Sequence, residues 1–216
     1  MANSSRLYLT AYNLVQFIGF SSVTYYLLHA LLFDSNIISA KQIYQAISPR
    51  FTFFQTLQFI EVLHVLIGLT GGSPLISFVQ IGGRNLILHI LINDIAAVQS
   101  KWFVPWLILA WSSIECFRYP FYISSLLNYK IKLITFLRYT AWYPIYPAGI
   151  ILEALTIKSS LESLEASGKY SVSLPNSANF SFHLPTLLQL YLKLLIWPTS
   201  FLLLSHMYKQ SKNALK

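Results

Sequence analysis

Charge is what this chain has least of. Only 10% of its 216 residues are Asp, Glu, Lys or Arg, where an ordinary soluble domain carries about 25%. A soluble globule of this length is therefore not the expected class. Cysteine is almost missing: Cys116 stands alone, so no intrachain disulfide can form and a disulfide-stapled secreted fold is excluded. With 8 glycines and 9 prolines the chain is not collagen-like or low-complexity material, and 16% aromatic residues are too many for a disordered segment. Acids are scarcer than bases, 7 against 15. The excess Lys and Arg form no run that would track phosphates, and the aromatics lie inside apolar stretches, which argues against nucleic acid as a partner. What the chain does have is hydrophobic residues, 55% of the total, and the expected class is an integral membrane protein.

A bilayer core of about 30 Å takes roughly 20 apolar residues per helix. Suitable stretches lie at 11–33, 51–70, 75–98, 102–127, 133–157 and 184–208. They predict an all-α polytopic membrane bundle in a single domain, about six transmembrane helices in all. Gly71-Gly72-Ser73-Pro74 is so short a break that it reads as a tight hairpin, and five spans is an alternative count. The first run follows Arg6 but exceeds a signal-peptide core in length, so it is expected to be retained. Residues 158–183, polar and Ser-rich, read as a surface loop with a short helical start. The Lys/Arg bias of the loops is nearly even. With a cytosolic amino terminus, Arg6, Lys130, Lys132, Lys209, Lys212 and Lys216 fall inside, and Lys41, Arg50, Lys101, Lys158 and Lys169 outside.

The four remaining basic residues, Arg84, Arg118, Arg138 and Lys193, fall within the spans, as do four of the seven acids, Glu61, Asp94, Glu115 and Glu153. Each costs roughly 2.5–3.5 kcal/mol at a helix centre, so each calls for a cavity, a substrate path or a buried pair. Glu115, Arg118, Tyr119 and Tyr122 repeat at i, i+3, i+4 and i+7, one stripe of one helix. Glu61 with His64, and Gln80 with Arg84, share faces in the same way. Three neighbouring spans thus each turn a polar face inward, toward a pocket or toward interhelical hydrogen bonds.

The fifth span contains Tyr143-Pro144-Ile145-Tyr146-Pro147-Ala148-Gly149 and then Glu153. Its two prolines and glycine predict a broken helix, tolerated at membrane depth where it lines a cavity. Tyr146 and Glu153, two turns apart, share a face about 10 Å apart along the axis. Side chains lean toward the helix amino terminus, so their polar ends can converge on one small group. A phenol and a partly desolvated carboxylate form an acid–base pair that needs no metal, suited to proton abstraction beside a carbonyl with loss of a hydroxyl. The alternative is an interfacial aromatic at 146 and a Glu153 that neutralises a buried arginine such as Arg138.

Tyr146-Pro147-Ala148-Gly149 ending in Glu153, with Leu137-Arg138-Tyr139-Thr140 before it, resembles the signature of the very-long-chain 3-hydroxyacyl-CoA dehydratases of the endoplasmic reticulum. Tyr12-Asn13, Gln16 and Gly19 resemble that family's first span. Glu61, His64, Gly68 and Ser73-Pro74 resemble its second, Gln80 and Arg84 its third, and Trp111, Glu115, Arg118-Tyr119 and Tyr122 its fourth. The resemblance implies a hydro-lyase of the endoplasmic reticulum membrane that converts a (3R)-3-hydroxyacyl-CoA to the trans-2-enoyl-CoA, the third step of fatty-acid elongation. It implies Tyr146 and Glu153 as the catalytic pair. Arg84, Glu115, Arg118, Tyr119, Arg138, Gly149, Glu61 and His64 are implied as supporting or substrate-pocket residues, with no cofactor, and the elongase and reductases as partners. Reference pKa values favour Glu153 as base and Tyr146 as acid, and the reverse stays open. Many relatives carry an arginine before the Ser-Pro where this chain has Gly72, so CoA phosphates would be held by other cations.

Competing classes leave different marks. A proton-coupled transporter would use the same charges, but no internal repeat is present. A metal-dependent lipid enzyme would cluster its histidines, whereas His29, His64, His89, His183 and His206 are scattered and Glu61-x-x-His64 has no second copy. Phosphatase chemistry needs Cys-x5-Arg, and the residue at that spacing from Cys116 is Tyr122. A non-catalytic scaffold would not need the Tyr146/Glu153 pair. A fifth span ending at 157 also puts Glu153 near the lumenal end of its helix, far from cytosolic acyl-CoA.

Overall fold

The computed structural model describes residues 3–33, 39–129, 131–177 and 179–214. Lys130 and Lys216, counted above on the cytosolic side, lie outside these residues. The described chain is helical apart from one small hairpin: α1 (Asn3–Leu32), α2 (Ala40–Leu57), α3 (Phe59–Leu66), α4 (Pro74–Leu86) continued by a π-helical segment (Ile87–Asn93), α5 (Ala96–Gln99), α6 (Phe103–Leu126), α7 (Lys132–Thr140) and α8 (Trp142–Ser167). The antiparallel strands β1 (Ser171–Val172) and β2 (Phe182–His183) follow, then α9 (Leu184–Leu190), a second π-helical segment (Tyr191–Leu195) and α10 (Ile196–Ala214). Asn3–Leu32, Pro74–Asn93 and Leu184–Ala214 are long and apolar enough to cross a membrane.

Neighbouring helices run antiparallel, as their contacts show. Phe20 packs on Phe51 while Tyr12 reaches Leu57 and Glu61. Phe20 also stacks on Tyr119 while Thr24 meets Cys116, so α1 opposes both α2–α3 and α6. Gln55 meets Asn85 and Phe59 meets Phe78, which turns α4 against α2–α3. Trp111 reaches Glu153 and Ile114 packs with Trp142, which turns α8 against α6. The core follows these seams, with Phe20, Val23, Leu27, Ile43, Phe51, Leu88, Leu107 and Ile108 fully buried. At the α1–α2 crossing Gly19 is required: a Cβ there would overlap the Phe54 ring.

Several boundaries differ from the sequence expectation. The second run is the latter half of a longer helix pair that starts at Ala40, capped by a reciprocal Ser39–Gln42 box. That Ser-x-x-Gln signal was present in the sequence, but the polar first half masked it. The break before α4 spans 67–73 and is no tight hairpin; Gly68 and Gly72 lie at φ 71° and 132° there. At Gly72 this backbone is one that side chains rarely adopt, which accounts for glycine at that position. The third run ends at Asn93, with Asp94 beyond it bound to Lys169 at 3.0 Å. Asp94 therefore clasps the helix end to the hairpin.

The fifth run is broken, as its sequence leads one to expect, but between α7 and α8 and not at its prolines. The interruption falls at Ala141, so Pro144 lies in the first turn of α8, where its missing N–H goes unneeded. Only Pro147 costs a helical bond. Helix α8 then continues ten residues past 157 to Ser167, where Gly168 at φ 61° caps it. Much of the expected loop is thus helix, because Ser160 and Leu164 bury an amphipathic face. Glu153 consequently sits near the middle of its helix.

Replacing Gly19 by Val should lower the thermal midpoint of the detergent-solubilised protein, by about 1–3 kcal/mol of overpacking. Combining it with Phe54→Ala should recover much of that loss; a Gly19→Val protein as stable as the parent would contradict the packing described.

Candidate active site

Four charged side chains from three helices form one alternating chain. Arg84 of α4 donates through Nη1 to Glu115 Oε1 at 2.8 Å. The Glu115 Oε2 atom lies 2.6 Å from Arg118 Nε; this approach is an ion pair whose N–H direction does not make a hydrogen bond. Arg118 Nη2 then donates to Glu61 Oε1 of α3 at 2.8 Å. Glu115 is 1% exposed, so among the described residues its two cations are its compensation. Removing one member of such a chain strands a buried charge.

Tyrosines complete the far end. Tyr119 donates to Glu61 at 2.5 Å and accepts from Arg118 at 2.8 Å and Gln58 at 3.1 Å. Tyr12 reaches the same carboxylate at 3.5 Å and accepts from Gln16. His64 pairs with Tyr8 at 2.9 Å and lies edge-on to the Tyr12 ring.

This chain forms part of the wall of a cavity of about 1020 Å³. Of the residues singled out in the sequence, Glu61, His64, Arg84, Glu115, Arg118, Tyr146, Gly149 and Glu153 all line it. Tyr119 does not; it stands fully buried behind the wall, where it fastens Glu61. Arg138 is absent from the lining too, and it does not neutralise Glu153. Its Nη1 is buried without a hydrogen-bond partner, and its guanidinium lies 5.9 Å from the Tyr139 ring centroid.

The partner of Glu153 is Trp111, which donates from Nε1 to Oε1 at 2.8 Å. Trp111 also stacks on Phe51 and carries the Arg84 guanidinium 5.8 Å from its ring centroid. The indole thus holds a carboxylate at its edge and a cation over its face. Spacing along one helix cannot reveal such a partner, because Trp111 and Glu153 are on different helices. Helix α8 presents Tyr146, Gly149 and Glu153 to the cavity at i, i+3 and i+7, and Gly149 leaves the wall open between the phenol and the carboxylate. The lining beyond them is largely apolar, from Ile157, Leu187, Leu188, Leu195 and Leu203. Cys116 lies inside α6, bonded to Ser112, Ser21 and Thr24, with none of the loop geometry of a phosphatase cysteine.

Fold and site together define a helical protein of membrane type, with a charge-lined internal cavity and a phenol–carboxylate pair on one helix. The chain belongs to the protein tyrosine phosphatase-like family (PTPLA), whose model matches residues 55–216. It is similar to a very-long-chain (3R)-3-hydroxyacyl-CoA dehydratase of Gallus gallus, 39% identical over 96% of this chain and 57% of that protein. It is also similar to dehydratase 3 of Mus musculus (34%; 98% of this chain, 58% of that one) and to dehydratase 2 of Homo sapiens (36%; 81% and 68%). The chain thus spans little more than half the length of the first two. No solved structure matches it.

Because Arg118 serves two carboxylates, Arg118→Met should destabilise the fold by about 3–5 kcal/mol, read as a loss of thermal stability in detergent. An unchanged midpoint would show that the chain of charges is not structural.

Proposed function

We propose that this protein dehydrates very-long-chain (3R)-3-hydroxyacyl-CoA to the trans-2-enoyl-CoA, with Tyr146 and Glu153 as the reacting pair. The observation that carries this reading is the shared cavity. Tyr146 and Glu153 face it from one helix, with Gly149 between them and a long apolar lining beyond, in a chain whose relatives bear the dehydratase name.

In the proposed reaction the free oxygen of Glu153 takes the C2 proton, which the neighbouring thioester carbonyl acidifies. Electrons of that C–H bond form the C2=C3 double bond as the C3–O bond breaks. Tyr146 gives its proton to the departing hydroxyl, and water leaves. Glu153 then holds the proton that Tyr146 has lost, and its return to the phenolate resets both groups. General acid–base steps of this kind contribute typically 10²–10⁴-fold each.

The setting we propose is the endoplasmic reticulum membrane, crossed six times, with the protein serving the third step of the elongation cycle beside an elongase and reductases. Antiparallel contacts favour alternating crossings, and the mid-helix position of Glu153 lets a cytosolic acyl-CoA reach it. In this arrangement Asn3 and Asn179 face opposite sides. Glycosylation reporters placed at the two positions should be modified at 179 alone; modification of both would overturn the six-span count.

Turnover of a long-chain (3R)-3-hydroxyacyl-CoA by the purified protein tests the activity. Glu153→Gln and Tyr146→Phe should each lower kcat by at least about 10²-fold, and substantial activity in both variants would end the proposal. Trp111→Phe keeps an aromatic ring but removes the donor to Glu153. It should reduce kcat more than KM and displace the pH–rate profile, whereas a purely packing role would leave the profile in place.

A further inference from the structure

Once Arg84, Glu115, Arg118 and Glu61 have cancelled one another, one of the three arginines within the spans is left over. Arg138 has neither an ion-pair nor a hydrogen-bond partner among the described residues, and its Nη1 is buried. A half-buried guanidinium with no counterion is costly, and its natural complement is an anion that the chain itself does not supply.

Its position says which anion. The interruption at Ala141 keeps right-handed helical angles, φ −59° and ψ −25°, and is bridged by bonds from the Ala141 N–H to the Leu137 carbonyl and from the Ile145 N–H to the Ala141 carbonyl, so α7 leads directly into α8. Arg138, Trp142, Tyr146, Gly149 and Glu153 follow at steps of three or four, a single stripe. Arg138 lies eight residues before Tyr146 and fifteen before Glu153, roughly 12 and 22 Å along the axis at 1.5 Å per residue. A thioester held between Tyr146 and Glu153 would extend its pantetheine arm over a comparable distance, bringing the phosphates of a coenzyme to the level of Arg138.

The charge at that end of the bundle agrees. Ser211 donates to the Tyr139 carbonyl at 2.8 Å, which sets the last turns of α10, with Lys209 and Lys212, beside α7 with Lys132. Neither α7 nor α10 contains an acid. The cavity extends to Ser125 and Leu126 at the end of α6, where Phe121 packs on Tyr139. A uniformly basic mouth at the end of a low-dielectric cavity draws anions toward it.

We infer that Arg138, which stands outside the cavity lining at the basic end of the bundle, is the phosphate anchor for a ligand that reaches out of this cavity, binding the nucleotide diphosphate end of an acyl-CoA, with the lysines of α7 and α10 adding long-range attraction. This deepens the dehydratase reading and rests on it for the identity of the substrate. Arginine suits the task because its planar fork meets two phosphate oxygens at once.

The test compares two substrates in a neutral detergent: a 3-hydroxyacyl-CoA and the matching 3-hydroxyacyl-pantetheine thioester, which lacks the phosphates. Arg138→Gln should raise KM for the CoA thioester roughly ten- to a hundredfold more than KM for the pantetheine thioester, and Arg138→Lys should recover part of the difference. Calorimetry with free CoA and free pantetheine supplies a readout that needs no turnover: the parent should bind CoA more tightly, and Arg138→Gln should erase the preference. Equal losses with both thioesters, or CoA binding that Arg138→Gln leaves intact, would overturn the anchor. So would an effect of the substitution that appears only when anionic lipid is added, which would assign Arg138 to a headgroup. A parent that binds CoA through Arg138 but dehydrates neither thioester would refute the dehydratase reading and leave the anchor standing.

Discussion

The alternating chain Arg84–Glu115–Arg118–Glu61 is the constraint around which the bundle is arranged. None of these charges is tolerable alone in a largely apolar interior, and they neutralise one another only if α3, α4 and α6 meet in one register. That requirement selects a pairing among helices whose apolar faces alone would slide past one another. Tyr119 and Tyr12 donate to Glu61, and Gln58 in turn donates to the Tyr119 hydroxyl, so α1 and the end of α2 are drawn into the same register. The cavity is the space these helices cannot close.

The same arithmetic explains why Glu153 is bound by a neutral donor. An ion-paired carboxylate must loosen its cation before it can accept a proton, whereas an indole N–H orients one oxygen and leaves the other available. Arg84 is close by, over the Trp111 face, but its Nη1 is committed to Glu115. Trp111 therefore separates the structural charges from the carboxylate proposed to react, while touching both.

The centres of the helices could be read from apolar runs, and the polar stripe of α6 from its spacing, because both are properties of a single helix. What could not be read was whatever passes between helices. Trp111 as the partner of Glu153, the withdrawal of Tyr119 behind the wall and the isolation of Arg138 all depend on how neighbours face each other. Helix ends were obscured for a different reason: apolar length measures contact with lipid or core, not helix length. Helix α2 begins, and α8 ends, in polar sequence that is helical through capping and a narrow buried stripe.

The π-helical segment after α4 has a consequence for how the two ends of that helix are built. A turn closed by i to i+5 bonds spends one more residue than an α-turn, so the faces before and after it fall out of phase. Before it, Gln80 and Arg84 look into the cavity; at its last residue Asn93 meets Tyr44, and just beyond it Asp94 meets Lys169. The extra residue acts as a rotational offset, letting one continuous rod satisfy two angular demands that a regular helix would set against each other. Sequence change at the clasped end is thereby decoupled from the angle at which Arg84 enters the cavity.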